Sequence, residues 1–238
     1  MRKNLVIIGC SYSHWYDSKA LYESYPALIA QDFKDYDVYD LSIGGSSNTT
    51  AYLRCKSVED KYKIKIDKVI FQITHFSRLF IYTDDFWLDD YSDLFNENNS
   101  KDNYYYTSGE MNPKYGFHVT SSFRSDRKGL LLNDRYGTKT YKKFIEKEIV
   151  SWRGKWETLQ QLELINSMYD TKFFSWFDYQ HNALDLMLAN KSCIGHIADL
   201  MGSSEIFKEQ SIDRYGHLTA TGHRTLYNTM KQRIQGWL

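Results

Sequence analysis

Ser11 closes a short apolar run, NLVIIGCS, and His217 stands in the segment DRYGHLTATGH, just ahead of the last periodic stretch of the chain. A serine hydroxyl becomes a useful nucleophile when a histidine takes its proton, and the oxyanion that then develops needs donors already aimed at it. Ser11 and His217 meet the first requirement. The backbone N–H groups of Ser11 and of Gly45, where the missing side chain lets another group approach closely, are candidates for the second. Taken alone, Gly9-Cys10-Ser11 is also what a strand-to-helix turn looks like, and Gly44-Gly45 suits a plain turn. His223 reads as a structural residue at the start of a helix, and His14, His75, His118, His181 and His196 show no metal-ligand spacing.

The elements around these residues explain how they could meet. Residues 4–8 form a β-rich apolar run ended by Gly9, and 19–33 show helical spacing through Ala20, Leu21, Tyr25, Leu28 and Ile29. A second strand is expected over 36–43, ended by Gly44-Gly45, with a helix over 47–61. The third strand, 67–74, is apolar on both faces, as a strand covered by helices on both sides must be. This repeating strand–helix order points to a parallel sheet, whose ligands gather at the carboxyl ends of the strands. Ser11, Gly45, Asn48 and Thr74 all fall at or just beyond such ends.

From 76 to about 138 the pattern gives way to Tyr-, Asn-, Asp- and Ser-rich sequence with no sustained period, which reads as an irregular insertion of loops and short hairpins. Helical periodicity returns over 141–169. A fourth strand is expected over 172–177, a short helix over 182–189 and a closing amphipathic helix over 219–237. The expected architecture is a single domain spanning 1–238, α/β in class, a three-layer α/β/α sandwich around a parallel sheet.

These segments, in this order, resemble the SGNH (GDSL-like) hydrolases. The family's first block, a strand followed by Gly-Asp-Ser, matches Gly9-Cys10-Ser11, with Cys10 in place of Asp; the Gly-Cys-Ser form is similar to that of a microbial and phage-encoded branch. The second-block glycine falls on Gly45, and HLTATGH resembles the family's His, short loop, glycine and final helix. The third block, Gly-x-Asn-Asp, lands on Gln72-Ile73-Thr74-His75, so Thr74, Gln72 and Asn48 are the alternatives for the donor its asparagine would supply. The family's acid stands three residues before the His; here that position is Arg214, and Asp213 is the candidate. The resemblance implies a flavodoxin-like fold and a serine esterase with no cofactor, acting on a small-molecule or glycan ester, O-acetylated sugars included. A catalytically degenerate binding or structural module of the same fold, as in a virion component, is the alternative.

Composition narrows the remaining classes. Of 238 residues, 30 are basic and 30 acidic, so there is no net field to draw the chain to nucleic acid or an anionic membrane. The N-terminal apolar run is too short for a membrane span or a signal-peptide core. Three cysteines without CxxC spacing speak against a disulfide framework or a zinc site and fit a reducing, cytoplasmic setting. Neither GxGxxG nor GxxxxGK[ST] occurs, which counts against nucleotide binding. The 20 Tyr, 13 Phe and 6 Trp could build sugar-stacking surfaces, although aromatics more often fill cores.

Overall fold

A computed structural model describes residues 1–13, 21–44, 46–74, 78–82, 98–107, 116–119, 152–175, 192–202, 211–213 and 217–238. Its strands are β1 (Lys3–Ile8), β2 (Tyr36–Asp40), β3 (Lys68–Ile73), β4 (Leu79–Tyr82), β5 (Asn98–Lys101), β6 (Tyr104–Thr107), β7 (Gly116–Val119), β8 (Asp170–Ser175) and β9 (Cys193–His196). The α-helices are α1 (Tyr25–Asp32), α2 (Ala51–Tyr62), α3 (Trp152–Met168), α4 (Ile197–Met201) and α5 (Ala220–Ile234). Seven strands form one sheet in the order β5-β6-β2-β1-β3-β8-β9, and β4 pairs with β7 in a separate antiparallel ribbon. All neighbours in the large sheet are parallel except β5 against β6. The α/β class and the mostly parallel sheet expected from the sequence are therefore observed.

Strand side chains alternate between faces, so a strand buried on both sides must be apolar at every position. β1 meets that condition: Leu5 and Ile7 pack in one core with Tyr25, Ile29, Leu226 and Met230, while Val6 and Ile8 pack in another with Cys55, Val58, Leu162 and Ile165. The first core lies under α1, α4 and α5, and the second under α2 and α3. That is a three-layer sandwich, with each buried aliphatic side chain contributing about 1.5–3 kcal/mol relative to exposure. The chain runs from β1 to β2 through α1 on one face and from β2 back across β1 to β3 through α2 on the other. This reversal makes the carboxyl ends of β1 and β3 the switch point at which sheets of this kind generally bind ligands.

The stretch read as an irregular insertion contributes more order than its composition suggests. Its β5–β6 hairpin extends the main sheet, β6 lying parallel to β2. Tyrosines do here what Val and Ile do in the inner strands: Tyr105 stacks on Tyr39 at 4.7 Å, and the Tyr104 hydroxyl donates to the buried Asp40 carboxylate at 2.9 Å. Asn103 anchors the turn by donating to Ala30 O and Tyr36 O, and Asp102 takes up the left-handed φ of 56° that an Asp tolerates. β9 and α4 were not expected from the sequence at all, because CIGHIADLM shows neither a clean alternation nor a long helical period. The expected helix over 182–189 lies outside the described residues.

His223, on the buried face of α5, accepts from the Tyr25 N–H through Nδ1 at 3.2 Å and stacks on the Tyr25 ring. This agrees with its reading as a structural residue. Burial pushes its pKa down to about 3. Because the unfolded chain then binds the proton first as the pH falls, stability is complete above the free-imidazole value of about 6.5 and lost below it, at roughly 1.4 kcal/mol per pH unit. The loss continues down toward the folded-state value of about 3. Melting curves recorded across this window should show His223→Gln losing less stability on acidification than the parent protein, and equal slopes would remove His223 as the cause.

Candidate active site

The chain leaves β1 through a tight turn in which Ser13 N–H donates to Cys10 O at 2.9 Å, with Ser11 and Tyr12 at its centre. Gln72 on neighbouring β3 holds this turn: its Oε1 accepts from Cys10 N–H at 3.0 Å and from Ser13 Oγ at 2.8 Å, and its Nε2 approaches Cys10 Sγ at 3.5 Å. Ser13 Oγ also lies 2.7 Å from the Tyr25 hydroxyl. Cys10 and Ser13 are fully buried, whereas Ser11 keeps 7% exposure. Gly9 is required by this packing, since a Cβ there would sit 2.2 Å from Ser13 Oγ and 2.8 Å from Gln72 Oε1. Gln72 is thus the clamp of the turn, with its carbonyl oxygen spent on the turn's own donors.

Asn48, at the start of the single 3-10 turn that leads into α2, is engaged on both sides of its amide. Its Oδ1 accepts from Thr74 N–H at 2.8 Å, and its Nδ2 donates to Thr74 O at 2.9 Å and Thr158 Oγ1 at 3.0 Å. Both amide hydrogens are therefore committed, and what Asn48 does in this structure is fasten the end of β3 to α3. The Thr74 hydroxyl is different: it is buried just past the carboxyl end of β3 and has no hydrogen-bond partner among the described residues. Gly45 lies outside the described residues.

Asp213 and His217 face each other across the loop before α5. An antiparallel bridge joins Ile212 to Leu218, Thr219 N–H donates to Ser211 O at 2.9 Å, and Asp213 N–H donates to His217 O at 2.8 Å. The Asp213 carboxylate closes the other side, Oδ1 accepting from His217 N–H at 2.9 Å. Its Oδ2 stands 3.9 Å from His217 Nδ1, within ion-pair range and beyond a formed hydrogen bond. Thr219 caps α5 by accepting from Gly222 N–H at 3.2 Å. Gly222 lets the helix start lie against the loop, since a Cβ there would come within 2.2 Å of Ser211 O. Residues 214–216 lie outside the described residues.

One contact joins the loop to the turn. The His217 ring packs on Tyr12 with centroids 5.4 Å apart and planes tilted by 48°, which sets the imidazole beside the residue next to Ser11. The nearly buried Ser11 and the Thr74 hydroxyl thus follow β1 and β3, and His217 reaches the first of them from the loop ahead of α5. Among the described residues no three His, Cys, Asp or Glu side chains are grouped so as to hold a metal ion, and no helix is long and apolar enough to cross a membrane.

The fold defines an α/β protein built around a mostly parallel sheet, and comparison with solved structures bears on that fold. An esterase, EstA from Pseudoalteromonas sp., described as psychrotrophic and determined inhibited by monoethylphosphonate, matches with a TM-score of 0.51 at 9% identity, over 99% of this chain and 98% of that one. An extracellular lipase from Streptomyces rimosus aligns over 98% of this chain and 76% of that one at 10% identity, with a TM-score of 0.33 too low to carry an argument. No protein-family model matches the chain, and no curated protein matches it in sequence. At such identities the likeness to EstA is one of fold alone.

The tight seat of Gly222 yields a test with an unusual sign. Glycine to alanine inside a helix ordinarily stabilises, by up to about 1 kcal/mol. Here the added methyl meets a main-chain carbonyl, so Gly222→Ala is expected to destabilise by about 1–3 kcal/mol in urea unfolding. A gain in stability would show that the loop does not rest on the helix.

Proposed function

We propose that the protein is a serine ester hydrolase in which Ser11 is the nucleophile and His217 the base. The observation that carries this reading is the packing of His217 on Tyr12, which brings the one histidine ahead of the last helix to the turn that presents Ser11. His217 removes the Ser11 proton as Oγ attacks the ester carbonyl carbon, and the resulting oxyanion is held by backbone N–H groups of Ser11 and Gly45. Thr74 takes the place of the third-block asparagine, its otherwise unsatisfied hydroxyl serving as a further donor. The imidazolium then protonates the leaving alkoxide, an alcohol departs, and water hydrolyses the Ser11 acyl ester by the same steps in reverse. No cofactor enters this chemistry. The substrate is an acyl ester of a small molecule or glycan, an O-acetyl group being the smallest such case.

The reading is tested by hydrolysis of a short-chain aryl ester. The parent protein should turn it over, with kcat/KM falling on acidification as the base is protonated, and Ser11→Ala should abolish turnover while melting as the parent does. Turnover by a folded Ser11→Ala variant would sink the mechanism; a folded parent protein with no turnover would favour the degenerate binding module.

Asp213 can be tested separately, because its two oxygens do different things. Asp213→Asn keeps an acceptor for the His217 N–H but removes the charge that faces Nδ1. If that charge stabilises the imidazolium, kcat should fall by at least about a hundredfold with KM little changed. A kcat within a few-fold of the parent would reduce the site to a Ser-His dyad and leave Asp213 as a loop clasp.

A further inference from the structure

Arg54 is a buried cation that none of the steps above uses. It lies on the inward stripe of α2 with Ala51, Cys55 and Val58, and it is 1% exposed. A guanidinium is rarely placed there, since desolvating it costs several kcal/mol unless its donors are satisfied. Its partners are main-chain carbonyls: Nη1 donates to Gly9 O at 2.8 Å and Leu41 O at 3.0 Å, and Nη2 donates to Ser47 O at 3.1 Å. Nε is buried without a partner. Burial lowers its pKa to about 10, so it remains a cation at neutral pH.

The identity of these carbonyls gives the arrangement its meaning. Gly9 is the residue through which β1 enters the Ser11 turn, and Leu41 and Ser47 bracket the loop in which Gly45 lies. Gly9 O is the point where the two meet, because it also accepts from Ile43 N–H at 3.2 Å and from Ser46 Oγ at 2.8 Å. The fork of one guanidinium spans three carbonyls at fixed angles. A lysine ammonium, a single point of charge, cannot reproduce that.

We infer that Arg54 is a positioning residue, whose fork, with the Ser46 hydroxyl, fixes the Ser11 turn against the loop that follows β2 and thereby holds the Ser11 backbone N–H, the oxyanion donor of that turn, in place. The inference rests on the ester-hydrolase reading and deepens it. Displacing a donor by about 1 Å is enough to cost on the order of a hundredfold in rate. A group that only supported the fold would instead reduce the number of competent molecules.

The experiment separates these by counting sites. Parent protein, Arg54→Met, Arg54→Lys and Ser46→Ala are labelled to completion with a fluorophosphonate, and hydrolysis of a short-chain aryl ester is expressed per labelled serine. Both Arg54 variants should lose about a hundredfold in kcat per labelled site with KM within a few-fold of the parent, lysine failing to rescue. Ser46→Ala, which removes one bond to Gly9 O without exposing a charge, should lose less and decides the question if the Arg54 variants do not fold. Parent-level kcat per labelled site in any folded variant, with only the labelled fraction or the melting temperature reduced, overturns the proposal. A parent protein that does not label at Ser11 overturns the ester-hydrolase reading itself.

Discussion

At Gly9 the chain leaves the central strand through a space with no room for a side chain. Ser13 Oγ and Gln72 Oε1 occupy the volume a Cβ would need, and the Gly9 carbonyl on the other side of the same residue is met by the Ser46 hydroxyl and the Arg54 guanidinium. Cys10 then turns inward against Gln72, while Ser11 keeps 7% exposure beside the more open Tyr12. Polar groups from β3, α2 and the loop after β2 hold this turn by bonding to the backbone on the N-terminal side of Ser11. The low dielectric around these groups strengthens each bond and makes any unfilled one costly.

The sheet order gives that turn its setting. Because β1 lies between β2 and β3 and all three run parallel, the segments after them leave the sheet at the same edge. The same order explains why polar residues accumulate there. Ser42, Ser46, Ser47, Asn48 and Thr74 are buried beyond the strand ends and Gln72 near the end of β3, and each must find partners among the others or in backbone. Asn48 shows how completely this is done, whereas the Thr74 hydroxyl is left over.

Much of this was legible in the sequence because apolar runs and the residues that end them obey local rules. β1, β2, β3 and β8, the helices α2 and α5, and the places of Ser11, Thr74 and His217 at strand and loop ends follow from periodicity and from Gly9, Gly44 and Thr219 as breakers and cap. β6 was hidden because its tyrosines satisfy a sheet edge through stacking and a hydroxyl bond to Asp40, which no alternation of Val and Ile announces. Gln72 was legible only as a substitute donor, because its role depends on a backbone N–H that is 62 positions away. Arg54 carried a signal that could have been found: an arginine on the stripe formed by Ala51, Cys55 and Val58 is at odds with its neighbours unless something polar lies beneath.

The spacing of Asp213 and His217 finds its explanation in the same kind of cross-chain bonding. With Ile212 bridged to Leu218 and Asp213 N–H bonded to His217 O, residues 213 and 217 stand opposite one another across a closed loop, so four residues of separation bring them together. In that register one carboxylate oxygen caps the His217 N–H and the other is left facing Nδ1 at 3.9 Å. The carboxylate is consequently fixed by the backbone of the residue whose ring it faces, and it cannot swing away without breaking the loop's own clasp. At 3.9 Å the second oxygen is beyond hydrogen-bond reach of Nδ1, and closing that gap would need a rotation of the imidazole about its own side-chain torsions. The Tyr12 ring is the surface against which that rotation would occur, so the aromatic neighbour of Ser11 limits the directions in which the histidine can move.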